Sequence, residues 1–174
     1  TVADDDNYIG DVGVDENVTV DKAQLAVTTT IHKADHTVVA NNGHVALGSV
    51  VHDNADVTGG VAGFPIPAIS FTLNAAPVAN DSTEAPFDAT SVASAALAAG
   101  NYTYNASVAS DDNYNGATSD PEPFVVDKAQ LSVSTKVHNT THVDITNTTV
   151  QPGAIVHDTA TLAGGVNGFA LPAV

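Results

Sequence analysis

The chain has 174 residues, 43% of them hydrophobic, with a mean hydropathy of +0.06 and a formal net charge of −16 from 20 Asp and Glu against four Lys. So much apolar content excludes a disordered acidic tail, and so few cations exclude a nucleic-acid partner or docking on an anionic membrane. The absence of Cys removes disulfides, a thiolate nucleophile and zinc–thiolate sites.

No apolar run approaches the roughly 20 residues of a membrane helix, so direct membrane insertion is not expected. The opening "TVADDD" has no signal-peptide pattern, which places any export signal or anchor outside this stretch. Val, Thr, Ala, Asn, Gly and Asp dominate the composition, a mix that suits strands joined by tight turns and predicts an all-β fold.

In chain order, the first distinctive stretch is "DDNYIG" at 5–10, which returns as "DDNYNG" at 111–116, 106 positions later (111 − 5). "DKAQL" at 21–25 returns at 127–131 at the same offset, and the match extends to nine of sixteen positions over 21–36 and 127–142. Leu25, Val27, Thr29 and Ile31 alternate with small or polar neighbours, the period of a half-buried strand, A. Val50–Val57 reads as strand B, and 51–69 returns as 156–174 at an offset of 105 (156 − 51), one residue having been lost between His142 and Val156.

"AISFTLN" (68–74) is strand C, with Phe71 and Leu73 inward. "ANDSTEAPFDA" is a turn-rich crossing with room for a short strand, and "ATSVASAAL" (89–97) is a small-residue strand E. "LAAGNYTYNASV" puts Tyr102, Tyr104, Ala106 and Val108 on one face of strand F. Its Leu-x-x-Gly-x-Tyr opening resembles a tyrosine corner, with the Tyr102 hydroxyl tying the E–F crossing. "SDDNYNGATSD" is a loop of turn residues, and "EPFVVD" is strand G.

Seven short strands with turns at roughly 8–12-residue spacing predict an immunoglobulin-like β-sandwich. A period near 106 is too long for solenoid repeats of about 20–50 residues and is the size of a whole sandwich domain. The chain is therefore expected to divide in three: 1–20, the end of strand F and strand G of a preceding unit; 21–126, a complete unit; and 127–174, strands A and B and the start of C of a following unit. "VVDKAQL" carries strand G into the next strand A with no Gly- or Ser-rich linker, which predicts a stiff joint.

The combination of "VDKA", "IH" or "VH", "VHD-x-A", "LAAGNYTY", "DDNYNG" and "EPFVVDK" resembles the immunoglobulin-like repeats of large bacterial cell-surface and adhesin-like proteins, and it covers the complete unit and both partial copies. The resemblance implies tandem immunoglobulin-like domains in an extracellular or cell-surface stalk, fibre or filament, partnered by neighbouring repeats or identical subunits and without catalysis. The stretch "GGVAGFPIPAIS" departs from the pattern in being more apolar and Pro-rich. The rival reading is a glycan- or protein-binding module of a surface protein or exported enzyme, working through loops such as 59–67.

Three of the seven histidines recur by copy, as His32/His138, His36/His142 and His52/His157, while His44 has no equivalent. The i,i+4 spacing lacks the helix and Glu of a metalloprotease, and packing or hydrogen-bonding roles in the A–B connection are expected. His52 and Asp53 are adjacent on a strand and point to opposite faces, so they form no catalytic relay.

Asp21, Asp111, Asp112 and Asn113 gather oxygen ligands of the kind Ca²⁺ takes, where the F–G loop should meet the joint. Asn-x-Ser/Thr sequons stand at Asn17, Asn80, Asn101, Asn105, Asn139 and Asn147 and mark loops open to glycosylation if the source glycosylates Asn. Lys22 and Lys128 lie at joints, not in a core, which argues against a lysine isopeptide cross-link.

Overall fold

A computed structural model describes residues 1–81, 88–91 and 93–173; for Asp88 and Ala89 only the backbone is described. Residues 82–87, 92 and 174, which include part of the crossing, one position of predicted strand E and the last residue of the repeat, lie outside the described residues.

The described residues form an all-β structure without helix. Its strands are β1 (Ala23–Gln24), β2 (Ala26–Lys33), β3 (Gly43–Val45), β4 (Val51–Thr58), β5 (Ile69–Leu73), β6 (Ala76–Val78) and β7 (Asn80–Asp81), then β8 (Asp88–Ser91), β9 (Gly100–Val108), β10 (Tyr114–Asn115), β11 (Ala117–Thr118), β12 (Glu122–Val126), β13 (Ser132–Asn139) and β14 (Val156–Ala163).

One sheet runs β2-β4-β8-β7, and a second runs β3-β12-β9-β5-β6, with β11 also on β9. β2 and β4 are antiparallel with Ile31 opposite Asp53 and His32 opposite His52. Because strand side chains alternate, this register sends Val27, Ile31, Val51, Ala55 and Val57 to one face. There they meet Ile69, Phe71, Tyr104, Ala106, Val108 and Phe124 of the other sheet in two adjoining core clusters. Two sheets sharing one apolar interior are consistent with a β-sandwich.

Strands A, B, C, F and G are legible as β2, β4, β5, β9 and β12, with ends shifted by up to three residues. Three features differ from expectation. Predicted strand E keeps only its first residues as strand, because the following chain bends to the start of β4: Ser94 N donates to Val51 O at 2.8 Å, and Leu97 N to Ser49 O at 3.1 Å. Leu97 is still buried. The A–B connection contains β3, which leaves the β2–β4 sheet and pairs in parallel with β12, Phe124 opposite Gly43. The turn-rich stretch from Tyr114 holds two short strands, β10 and β11, and β10 pairs in parallel with β1.

The sequence repeat is also a repeat of local geometry. Every β2–β4 pair has its equivalent in β13–β14: Ala26↔Thr58 returns as Ser132↔Ala163 and His32↔His52 as His138↔His157. The isolated bridge Val2↔Asp11 matches the pair Val108↔Ala117 at the 106-residue offset. Asp5 Oδ1 accepts from Asn7 N and Tyr8 N, both at 2.8 Å, just as Asp111 Oδ1 accepts from Asn113 N at 2.8 Å and Tyr114 N at 2.7 Å. Gly59 and Gly164 both have φ of +89°, and a Cβ on either would run into the carbonyl of Gln24 or Gln130, so neither position admits another residue without strain.

Candidate functional site

The joint residues come first, because the repeat makes them the most distinctive local feature. β12 ends at Val126, but its ladder continues one step: Asp127 N donates to Val45 O at 2.9 Å. His44 Nδ1 and Asp127 Oδ1 are 2.8 Å apart at the surface, an exposed pair of small energetic weight beside the junction. His44, which sequence reasoning left without a role, is thus a joint residue.

At the first "DKAQL", Lys22 Nζ donates to Asp111 O, and Ala23 N donates to Asn113 O at 2.9 Å. Gln24 Nε2 donates to Leu25 O at 2.9 Å, a contact that Gln130 repeats with Leu131 O at 2.8 Å. In the first copy Lys22 thus ties the start of strand A to the F–G loop, while each Gln closes on the carbonyl of its own neighbour.

Of the proposed Ca²⁺ ligands, Asp21, Asp112 and Asn113 do line one concavity of about 330 Å³, together with Phe64 and Tyr114. Asp111 plays another part: one carboxylate oxygen caps the Asn113 and Tyr114 amides, and its carbonyl takes the Lys22 ammonium. Among the described residues no three His, Asp or Glu side chains converge on one point as a metal cage.

Tyr114 holds the concavity's far wall. It is fully buried, accepts from Val61 N at 2.9 Å and donates to Phe64 O at 2.9 Å, so the apolar loop 59–67 is pinned by a residue that the sequence placed in a mere turn. Its signal was present, since a large aromatic in a run of Asp, Asn and Gly has little reason to be there unless it packs. Tyr102 meets its expectation: its hydroxyl donates to Ala98 O at 3.0 Å.

The second group lies inside the sandwich. Asp53 is fully buried on the core face of β4; its carboxyl oxygens, like Oε2 of Glu122 on β12, have no well-formed hydrogen bond, and the backbone of Asn54 and Thr30 favours the ionised Asp53 only weakly. Burial, and then the neighbouring Glu122 carboxylate, push the Asp53 carboxyl up to about 8. A proton on Asp53 satisfies both groups, because it turns one of two facing acceptors into a donor. Burial also pushes the Tyr104 hydroxyl beside them up to about 12. The acid and the phenol, both neutral at pH 7, share a polar core contact with the buried Ser91 hydroxyl, which accepts from Asp53 N at 2.9 Å.

The third group is the recurrent histidines. His32 and His52 stack with ring centroids 5.6 Å apart, and His36 meets His52 edge-on at 5.2 Å. His138, His142 and His157 repeat the arrangement at 5.7 and 4.8 Å. The expected packing role holds, and all three side chains come together, which their spacing along the chain did not reveal.

The sequon residues Asn17, Asn80, Asn101 and Asn147 are exposed, whereas Asn105 and Asn139 are half-buried. Asn80 Nδ2, the atom a glycan would occupy, donates to Ile69 O.

Comparison with known proteins found no matching family model and no matching curated protein. What the chain does has to be read from its own geometry.

Proposed function

We propose that the chain is a stretch of a tandem array of immunoglobulin-like sandwich domains forming a structural segment of an extracellular or cell-surface stalk, fibre or adhesin. Residues 1–20 close one unit, 21–126 make a complete unit, and 127–174 open the next. The order β2-β4-β8-β7 matches the A-B-E-D sheet of a seven-stranded immunoglobulin sandwich, and β12-β9-β5 matches G-F-C. β3 on the G edge and β6 beyond C are additions to that scheme. The Tyr102 tie to Ala98 O supports the same reading.

The observation that carries the proposal is the recurrence of one hairpin register at β13–β14, entered from β12 through a junction whose first residue is still in the ladder. A unit repeated at domain length and joined without a flexible linker acts as a spacer whose partners are its own neighbours or identical subunits. Small-angle scattering on a protein carrying two complete copies, joined through the native 125–131 junction, should give an elongated particle with one fixed inter-unit length. A freely hinged ensemble would remove the stiff-stalk reading.

A second reading, a glycan- or protein-binding module, draws on the concavity beside the joint, where Phe64 is exposed next to Val61 and the acids Asp21 and Asp112. Exposed aromatics beside carboxylates suit a sugar face or a basic peptide. Loss of adhesion to a glycan or protein surface in Phe64→Ala, with unchanged folding, would favour it over the spacer.

A further inference from the structure

The three recurrent histidines form the same side-chain cluster in each copy. Between the first two of them nothing else agrees: 32–36 reads His-Lys-Ala-Asp-His, and 138–142 reads His-Asn-Thr-Thr-His. The turns that carry the second histidine are closed by different side chains. Asp35 Oδ1 accepts from Thr37 N at 3.1 Å in the first copy, whereas Asn139 Oδ1 accepts from Thr141 N and Val143 N at 3.0 Å in the second. Yet both turns set that histidine in the left-handed region, at φ 61°, and aim its ring at the edge of the third. His32 and His52, like His138 and His157, are direct cross-strand partners.

We infer that each histidine trio is a binding site for a borderline divalent transition-metal ion, of which Zn²⁺ is the representative. Ring nitrogens bind Zn²⁺ at about 2.0–2.1 Å, which puts the centroids of two imidazoles sharing a tetrahedral ion about 5 Å apart. The observed separations of 4.8–5.7 Å are of that size. As the rings stand their nitrogens do not close on one point. His36 and His142 are exposed, so rotation about their side-chain bonds can bring them in.

Two further observations point to a ligand. His32 Nδ1 in the first copy, and His157 Nε2 in the second, are buried without a hydrogen-bond partner. In the second copy Thr159 Oγ1 donates to Lys136 O at 3.2 Å and lies 3.3 Å from His138 Nδ1. A bond from Nδ1–H to that hydroxyl is the arrangement that outer-shell partners give metal-ligating histidines, and in this copy it would leave His138 Nε2 for the ion.

The first trio opens on a concavity of about 390 Å³ whose wall also includes Asp81. A carboxylate in that wall is of the chemical type that serves as a fourth, anionic ligand beside imidazoles. Imidazole and carboxylate ligands suit Zn²⁺, Cu²⁺ and Ni²⁺ over Ca²⁺.

Equilibrium dialysis of the full chain against Zn²⁺ tests the inference. Two ions per chain should bind, the stoichiometry should fall to one in either His36→Asn or His142→Asn, and binding should vanish in the double variant. Asn keeps the left-handed backbone accessible in both. Co²⁺ on the unmodified chain gives an independent readout, since a histidine site shows the intense visible bands of tetrahedral nitrogen ligation. Absence of Zn²⁺ binding, binding undiminished in the double variant, or a Co²⁺ spectrum of octahedral oxygen ligation would each overturn the inference.

Discussion

Hairpin β2–β4 and hairpin β13–β14 have the same register and the same left-handed turn residue, His36 or His142, and agree at seven of sixteen strand positions, yet among the described residues only the first is covered by a second sheet. Val27 and Ile31 are 7% and 1% exposed, whereas their equivalents Val133 and Val137 are 58% and 36% exposed. The difference is the second sheet: β5, β9 and β12 cover the first hairpin, and no described strand covers the second. Backbone pairing and turn chemistry are thus local properties, and burial is conferred by partners distant in sequence. A bare apolar strand face is also a place where another sheet can add.

The largest test of this contrast is truncation at equivalent positions. Ile31→Ala should destabilise the 21–126 unit by about 2–5 kcal/mol, because a cavity opens between two sheets that cannot collapse fully. Val137→Ala should change stability by less than about 0.5 kcal/mol, since its side chain already meets water. Denaturant unfolding of the two variants distinguishes them, and equal losses would mean that β13–β14 is covered in solution.

Asp53 and its equivalent Asp158 offer a second contrast, in pH dependence. The folded carboxyl of Asp53 titrates at about 8, above the ordinary value near 3.9 of the unfolded chain. Its contribution is therefore fully present below pH ~3.9 and is lost as pH rises toward 8, because in that window the folded state holds a proton that the unfolded state has released. The loss amounts to at most about 1.4 kcal/mol per pH unit. Asp53→Asn should flatten this slope between pH 5 and 8 and raise stability at neutral pH, while Asp158→Asn, at an exposed position, should leave the slope unchanged. Melting temperatures across that range would show a persisting slope in Asp53→Asn if the pairing with Glu122 has been misread.

A smaller effect belongs to the corner. Tyr102→Phe removes one hydroxyl bond to Ala98 O, worth about 1 kcal/mol of the first unit's stability. Smallest of all is the surface pair of the second hairpin, Lys136 Nζ to Asp144 Oδ2 at 2.6 Å, which holds the Asp144 carboxyl well below the usual carboxylate range. The pair is solvent-exposed, so Asp144→Asn should leave the unfolding midpoint within experimental error of the parent. A clear drop would show that β13–β14 is held by more than its own ladder.

Period-two alternation of Val, Thr, Ile and Leu, together with the duplicated "DKAQL", "VHD" and "DDNY", determined by itself the all-β class, strands A, B, C, F and G, most of their inward residues and the fact that one hairpin would recur. These features follow from side-chain alternation and turn geometry, which act between residues close in sequence or directly paired.

The tertiary structure alone decided the rest. The parallel docking of β3 on β12 joins residues some eighty positions apart, and nothing in "NNGHVALG" names that partner. Tyr114 becomes a core residue, and Asp53 a neutral acid, only because loop 59–67 and Glu122 are brought against them. The histidine trios form because a turn at His36 folds back over a cross-strand pair, a distance that spacing along one strand cannot express. Each of these depends on which surfaces meet across the sandwich, and desolvation and pairing across that interface then set the chemistry.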